Sequence, residues 1–168
     1  LNGMLPLKFI VDTGVRTAIL TQKTYTDILN LSYSRKYSIA GPGGEKLIEA
    51  YVTSGVDLQL PGVDGHGHAL LVLEEDYLEL RNHLGTDVHG VLGYELFSRF
   101  VVKVDYKGKM LTLMLPEKLK TGRKYETIPI NIEDTKPYVM ADVTQGNGEQ
   151  KRLKFLIDSG ASHSMMIE

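Results

Sequence analysis

Along most of this chain apolar residues occur in short runs or at every second position, the period of strands whose side chains alternate between two faces. Leu7 to Val11 is a compact run rich in β-formers and predicts a buried strand that Gly14 ends. Val56, Leu58 and Leu60 alternate with Asp57 and Gln59, and Val102, Val104 and Tyr106 alternate with Lys103 and Asp105. Ala69 to Leu73, Met110 to Leu115 and Tyr138 to Val143 read as further strands, and Ile128, Ile130 and Ile132 restart the alternation after a stretch carrying Lys118, Lys120, Arg123 and Lys124. Turn residues stand between these runs. Gly41-Pro42-Gly43-Gly44 predicts a hairpin tip between Tyr37–Ile39 and Leu47–Val52, Pro61 to Gly65 turns the chain toward Ala69, and Lys107-Gly108 and Asn147-Gly148 predict tight turns. Helical spacing is confined to two places. Thr21 is placed to cap a helix reaching Asn30, with Tyr25, Ile28 and Leu29 on one face, and Glu95 to Phe100 fits one or two helical turns. The expected fold class is all-β with short helices.

Two of these stretches nearly repeat each other. Leu7-Lys8-Phe9-Ile10-Val11-Asp12-Thr13-Gly14 is matched by Leu153-Lys154-Phe155-Leu156-Ile157-Asp158-Ser159-Gly160. In both, an apolar run leads straight into Asp, a hydroxyl residue and Gly. One such tripeptide is a good turn former, because the Asp side chain satisfies backbone N–H groups two residues on. Turn formation alone does not account for a repeated approach strand. The repeat predicts two related lobes, each delivering one carboxylate to a shared site.

Composition narrows the setting. A chain of 168 residues is long enough for one or two small domains with a real core. The formal net charge of −2 and the dispersed basic residues give no nucleic-acid footprint. The absence of Cys removes a disulfide framework and a thiolate metal site, and no apolar run reaches the length of a membrane span. The chain opens at Leu1 and stops shortly after Gly160, so both ends are expected to be cut.

Paired carboxylates bear a definite chemistry. Water attacks a peptide carbonyl poorly unless one group takes its proton and another polarises the carbonyl. Two carboxyls sharing one proton do both, the ionised one as general base and the neutral one as general acid. Their closeness keeps both from ionising together.

Together with His89-Gly90-Val91-Leu92-Gly93-Tyr94-Glu95-Leu96-Phe97-Ser98-Arg99-Phe100 and Val104-Asp105-Tyr106, the two Asp loops resemble the aspartic proteases of the retropepsin and pepsin clan. In particular they are similar to bacterial retropepsin-like aspartyl protease domains, which a PDZ domain sometimes follows. The resemblance implies an acid-protease β-barrel lobe over residues 1–116, a linker over 117–127, and the beginning of a second related lobe over 128–168, completed by a further C-terminal segment or a second chain. It implies Asp12 and Asp158 as catalytic dyad, Thr13 and Ser159 as hydroxyls bracing the loops, and Gly14 and Gly160 as positions where backbone N–H groups approach the carboxylates. Val91 to Gly93 would run beneath the first loop, and Gly41, Gly43 and Gly44 would form a flap. The implied partner is a peptide or protein substrate, with no cofactor, and the implied location is periplasmic or extracellular.

The first loop departs from the family's pattern. Val15 and Arg16 follow Gly14, whereas Ala161 and Ser162 follow Gly160 in the usual way. Arg16 is expected to depress the pKa of a nearby carboxyl, to point outward, or to contact an acidic substrate side chain, and Ser162 to contact substrate. These departures favour an alternative, a protease-like module that binds peptide without cutting it. A site built from two identical first lobes, each giving Asp12, is a further variant that the second Asp motif argues against. His66-Gly67-His68 falls in a Gly-rich turn without a third ligand, and His83 and His89 fall in a surface loop, so no metal site is expected. Gly41 to Lys46 lacks the Gly-Lys-Ser/Thr ending of a phosphate loop. Asp134 and Asp142 are expected to be solvated.

Overall fold

The computed structural model describes residues 1–40 and 47–166. The expected hairpin tip from Gly41 to Lys46 lies outside the described residues, and with it the flap assignment of Gly41, Gly43 and Gly44. The chain packs as two compact units, Leu1–Val11 with Thr17–Leu92, and Asp12–Arg16 with Gly93–Glu168. Both are all-β, and among the described residues no helix exceeds five residues.

The first unit is one six-stranded sheet. In chain order its elements are β1 (Phe9–Val11), β2 (Ile19–Leu20), α1 (Thr24–Ile28), β3 (Tyr33–Ala40), β4 (Leu47–Leu60), β5 (Val63–Leu73), α2 (Leu80–Leu84) and β6 (Gly90–Leu92). The strand order is β1-β6-β2-β5-β4-β3. The alternation at Leu58 and Leu60 belongs to the long antiparallel β4–β5 pair, while β1 pairs with β6 in parallel, Ile10 opposite Val91 and Val11 opposite Leu92. Inward positions of these strands make the core. Leu20, Val56, Leu70, Val72 and Leu92 cluster with Leu1, Ala18 and Leu29, and Ile48, Ala50 and Leu73 form a second cluster.

The second unit carries α3 (Tyr94–Phe97), a hairpin of β7 (Val101–Asp105) and β8 (Met110–Met114), and a 3₁₀ turn at Pro116–Lys118. A three-stranded sheet follows, from β9 (Asn131–Glu133), β10 (Lys136–Thr144) and β11 (Gln150–Leu156), in the order β11-β10-β9. The Gly108 N–H closes the first hairpin on the Asp105 carboxylate at 2.8 Å, and Asn147-Gly148 stands in the β10–β11 turn as expected.

Several local expectations are corrected. Thr21 does not cap α1. It is buried and gives its hydroxyl to the His89 carbonyl at 3.1 Å, so the helix starts at Thr24 without a side-chain cap. Ile28 faces solvent, while Tyr25, Thr26 and Leu29 turn inward. His66, Gly67 and His68 lie in β5 rather than in a turn, since the β4–β5 pairing continues to Leu60 and Val63. His89 is half-buried rather than on a surface loop. Its Nδ1 accepts the Lys8 N–H at 2.9 Å and its ring meets Tyr25 edge-on at 5.4 Å. Of the run Ile128, Ile130 and Ile132, only the last lies in a strand.

Candidate carboxylate site

Asp12 and Asp158 each follow the end of an apolar strand run, and both fall in the second unit. There the structure brings them together, so that a methyl group on Gly14 would stand within 3.2 Å of both carboxyls. Each loop folds back onto its own acid. Asp12 Oδ1 accepts the Gly14 N–H at 2.7 Å, and Asp158 Oδ1 accepts the N–H groups of Gly160 at 2.8 Å and Ala161 at 3.1 Å. This is the local Asx turn that Asp-hydroxyl-Gly encodes. Gly is needed for a second reason. A methyl group on Gly160 would collide with the Asp12 carboxyl, and one on Gly14 would stand 3.0 Å from Asp158 Oδ2.

The hydroxyl residues tie one loop to the other. Thr13 N–H donates to Ser159 Oγ at 3.1 Å, and Ser159 N–H donates to Thr13 Oγ1 at 3.0 Å. Thr13 Oγ1 donates in turn to the Ile157 carbonyl at 2.5 Å. Ile157 N–H is held by the Pro137 carbonyl on β10 at 2.8 Å, so the second acid hangs from the three-stranded sheet. The first loop rests on Gly93. Val15 carbonyl accepts the Tyr94 N–H at 2.9 Å, and a side chain on Gly93 would run into that carbonyl. A cavity of about 460 Å³ flanks the brace, walled by Thr13, Phe97, Ile132, Thr135 and Ile157 among others.

The pKa of Asp12 is raised, above all by burial, and further by the hydrogen bond to Asp158 and the charge of that group; the Gly14 and Gly160 N–H groups pull the other way. The Arg16 guanidinium lies largely in solvent and pairs with Asp134, Nη1 to Oδ1 at 3.1 Å. Asp134 is solvated as expected, its side chain 75% exposed, and it also pairs with Arg16, for which sequence spacing gave no signal. Ser162 Oγ lies 3.0 Å from its neighbour His163 Nδ1.

Nothing else among the described residues gathers chemistry in this way. His66 Nδ1 lies 3.2 Å from Asp57 Oδ2, and Asp57 is held below its usual range by the Gly67 N–H and by that histidine. No group of three or more His, Cys, Asp or Glu is placed to hold a metal ion among the described residues. No helix there is long and apolar enough to cross a membrane.

A model of the aspartyl protease family matches residues 1–96, more than half of the chain, and the chain belongs to that family. The matched stretch contains the Asp12 loop and Val91 to Gly93 but stops short of Asp158. No curated protein and no solved structure matches the chain.

Proposed function

We propose that the protein is an aspartic endopeptidase in which Asp12 and Asp158 activate one water molecule against a peptide carbonyl. The observation that carries this reading is the apposition of the two acids: a methyl group on Gly14 would stand 3.0 Å from Asp158 Oδ2 and 3.2 Å from Asp12 Oδ1, beside the reciprocal bonds of Thr13 and Ser159. Asp12 then supplies the proton to the carbonyl oxygen as general acid, and Asp158 takes the proton of the attacking water as general base. Thr13 and Ser159 keep the two acids in register, Gly14 and Gly160 make the close approach sterically feasible, and Ser162 is placed in sequence to meet the substrate. The substrate is a peptide or protein. On this reading residues 1–116 are a first lobe, 117–127 a linker and 128–168 the opening of a second lobe, a division by ancestry rather than by contacts. The alternative of a binding module that does not cut drew on Val15 and Arg16; the Arg16 guanidinium is engaged by Asp134, which weakens it.

Asp12→Asn and Asp158→Asn are each expected to lower peptide turnover by at least about 100-fold, the low end of what a positioned acid or base contributes. Peptides bearing a hydroxyl mimic of the tetrahedral intermediate, such as statine, are expected to inhibit competitively. Wild-type turnover in either Asn variant would rule out the shared water.

A further inference from the structure

The turn between β9 and β10 is gripped by two cations, each four residues from one of the acids. Arg16, four residues after Asp12, pairs with Asp134 at 3.1 Å. Lys154, four residues before Asp158, pairs with the adjoining Glu133 at 2.8 Å. The turn itself is a strained one. Glu133 lies opposite Lys136 in the ladder, so Asp134 and Thr135 alone make the connection, with φ of 45° and 69°. Both central residues of such a turn need positive φ, which favours Asn, Asp or Gly and disfavours a β-branched residue such as Thr. Strain of this kind persists where surrounding contacts hold it. Immediately after the turn, Pro137 fixes Ile157, the residue that both accepts the Thr13 hydroxyl and leads into Asp158. The contacts close a ring from Asp12 through Arg16, Asp134, Pro137 and Ile157 to Asp158 and back through Thr13.

We infer that Arg16 and Asp134 are positioning residues, a latch that sets the distance between the two carboxyls by anchoring the β9–β10 turn to the first acid loop. The inference rests on the endopeptidase reading for its effect on rate, but not for its effect on the acids themselves. Exposed ion pairs are individually weak, so the latch trims geometry rather than holding the fold.

The test is Asp134→Asn, a side chain of the same shape that suits the positive φ and keeps the turn intact. In cleavage assays kcat is expected to fall about two- to five-fold, the range an exposed pair commands, with KM unchanged. In the free protein, a carboxyl ¹³C titration is expected to show Asp12 moving down toward the ordinary carboxylate range as it parts from Asp158, the charge that acts on it. Arg16→Gln, which breaks the same pair from the other side and leaves the turn untouched, should reproduce both readings. An unchanged Asp12 titration in Asp134→Asn, or in a folded Arg16→Gln, overturns the latch. Should the wild-type protein cleave nothing while the titration still shifts, the endopeptidase reading fails and the latch stands.

Discussion

Asp12 holds a carboxyl that its surroundings press toward the neutral form, burial being the largest cause. That pressure has a pH signature. A carboxyl whose folded-state pKa lies above its unfolded value contributes stability below the unfolded value, near 3.8, and the contribution is lost as pH rises through the folded value. Asp12→Asn keeps the shape and removes the charge. In urea unfolding it is therefore expected to be more stable than the wild type at neutral pH and to lose that advantage below 3.8. The same advantage at both pH values would mean that the gain comes from something other than ionisation. The two acid loops were legible in the sequence because duplication doubles the signal of a motif that is weak alone. The job of Arg16 was not, since its partner Asp134 lies far along the chain and only the fold brings them together.

The strands came through clearly wherever an alternating run met a recognisable turn, as in the β7–β8 and β10–β11 hairpins. The errors have a common physical cause. Thr21 has the right chemistry for a helix cap, but a buried hydroxyl goes to whichever carbonyl the tertiary fold presents, here that of His89. Likewise the glycines around His66 and His68 read as a turn, while the ladder to β4 was strong enough to carry the strand through them. Gly93 was legible, and its packing on Val15 gives it a sharp prediction. Gly93→Ala forces the Val15 carbonyl to yield, at a cost of about 1–3 kcal/mol in unfolding free energy, as for other overpacked sites. Chemical denaturation measures this directly, and a change below half a kcal/mol would show that the loop gives way easily.

Burial is unevenly shared along the chain. The two clusters of buried apolar side chains both belong to the first unit, whereas Ile128, Ile130, Ile132 and Met140 of the second are exposed. Leu20 is fully buried where β2 is flanked by β5 and β6. Leu20→Ala is expected to cost about 2–5 kcal/mol, readable as a lower midpoint in urea. An unchanged midpoint would mean that this core does not govern global unfolding. The all-β class was readable from period alone and the meeting of the two acid loops from their repeat, but the pairing of Arg16 with Asp134 was not, because periodicity carries no information on long-range contacts.

The reciprocal bonds of Thr13 and Ser159 join residues 146 positions apart. Contacts so distant in sequence form late, after most of the chain has been released to fold. During synthesis, then, a nascent chain still threaded through the ribosome carries the first acid without its mate. Until translation has passed Ser159, such a chain lacks the reciprocal brace that ties the two acid loops together.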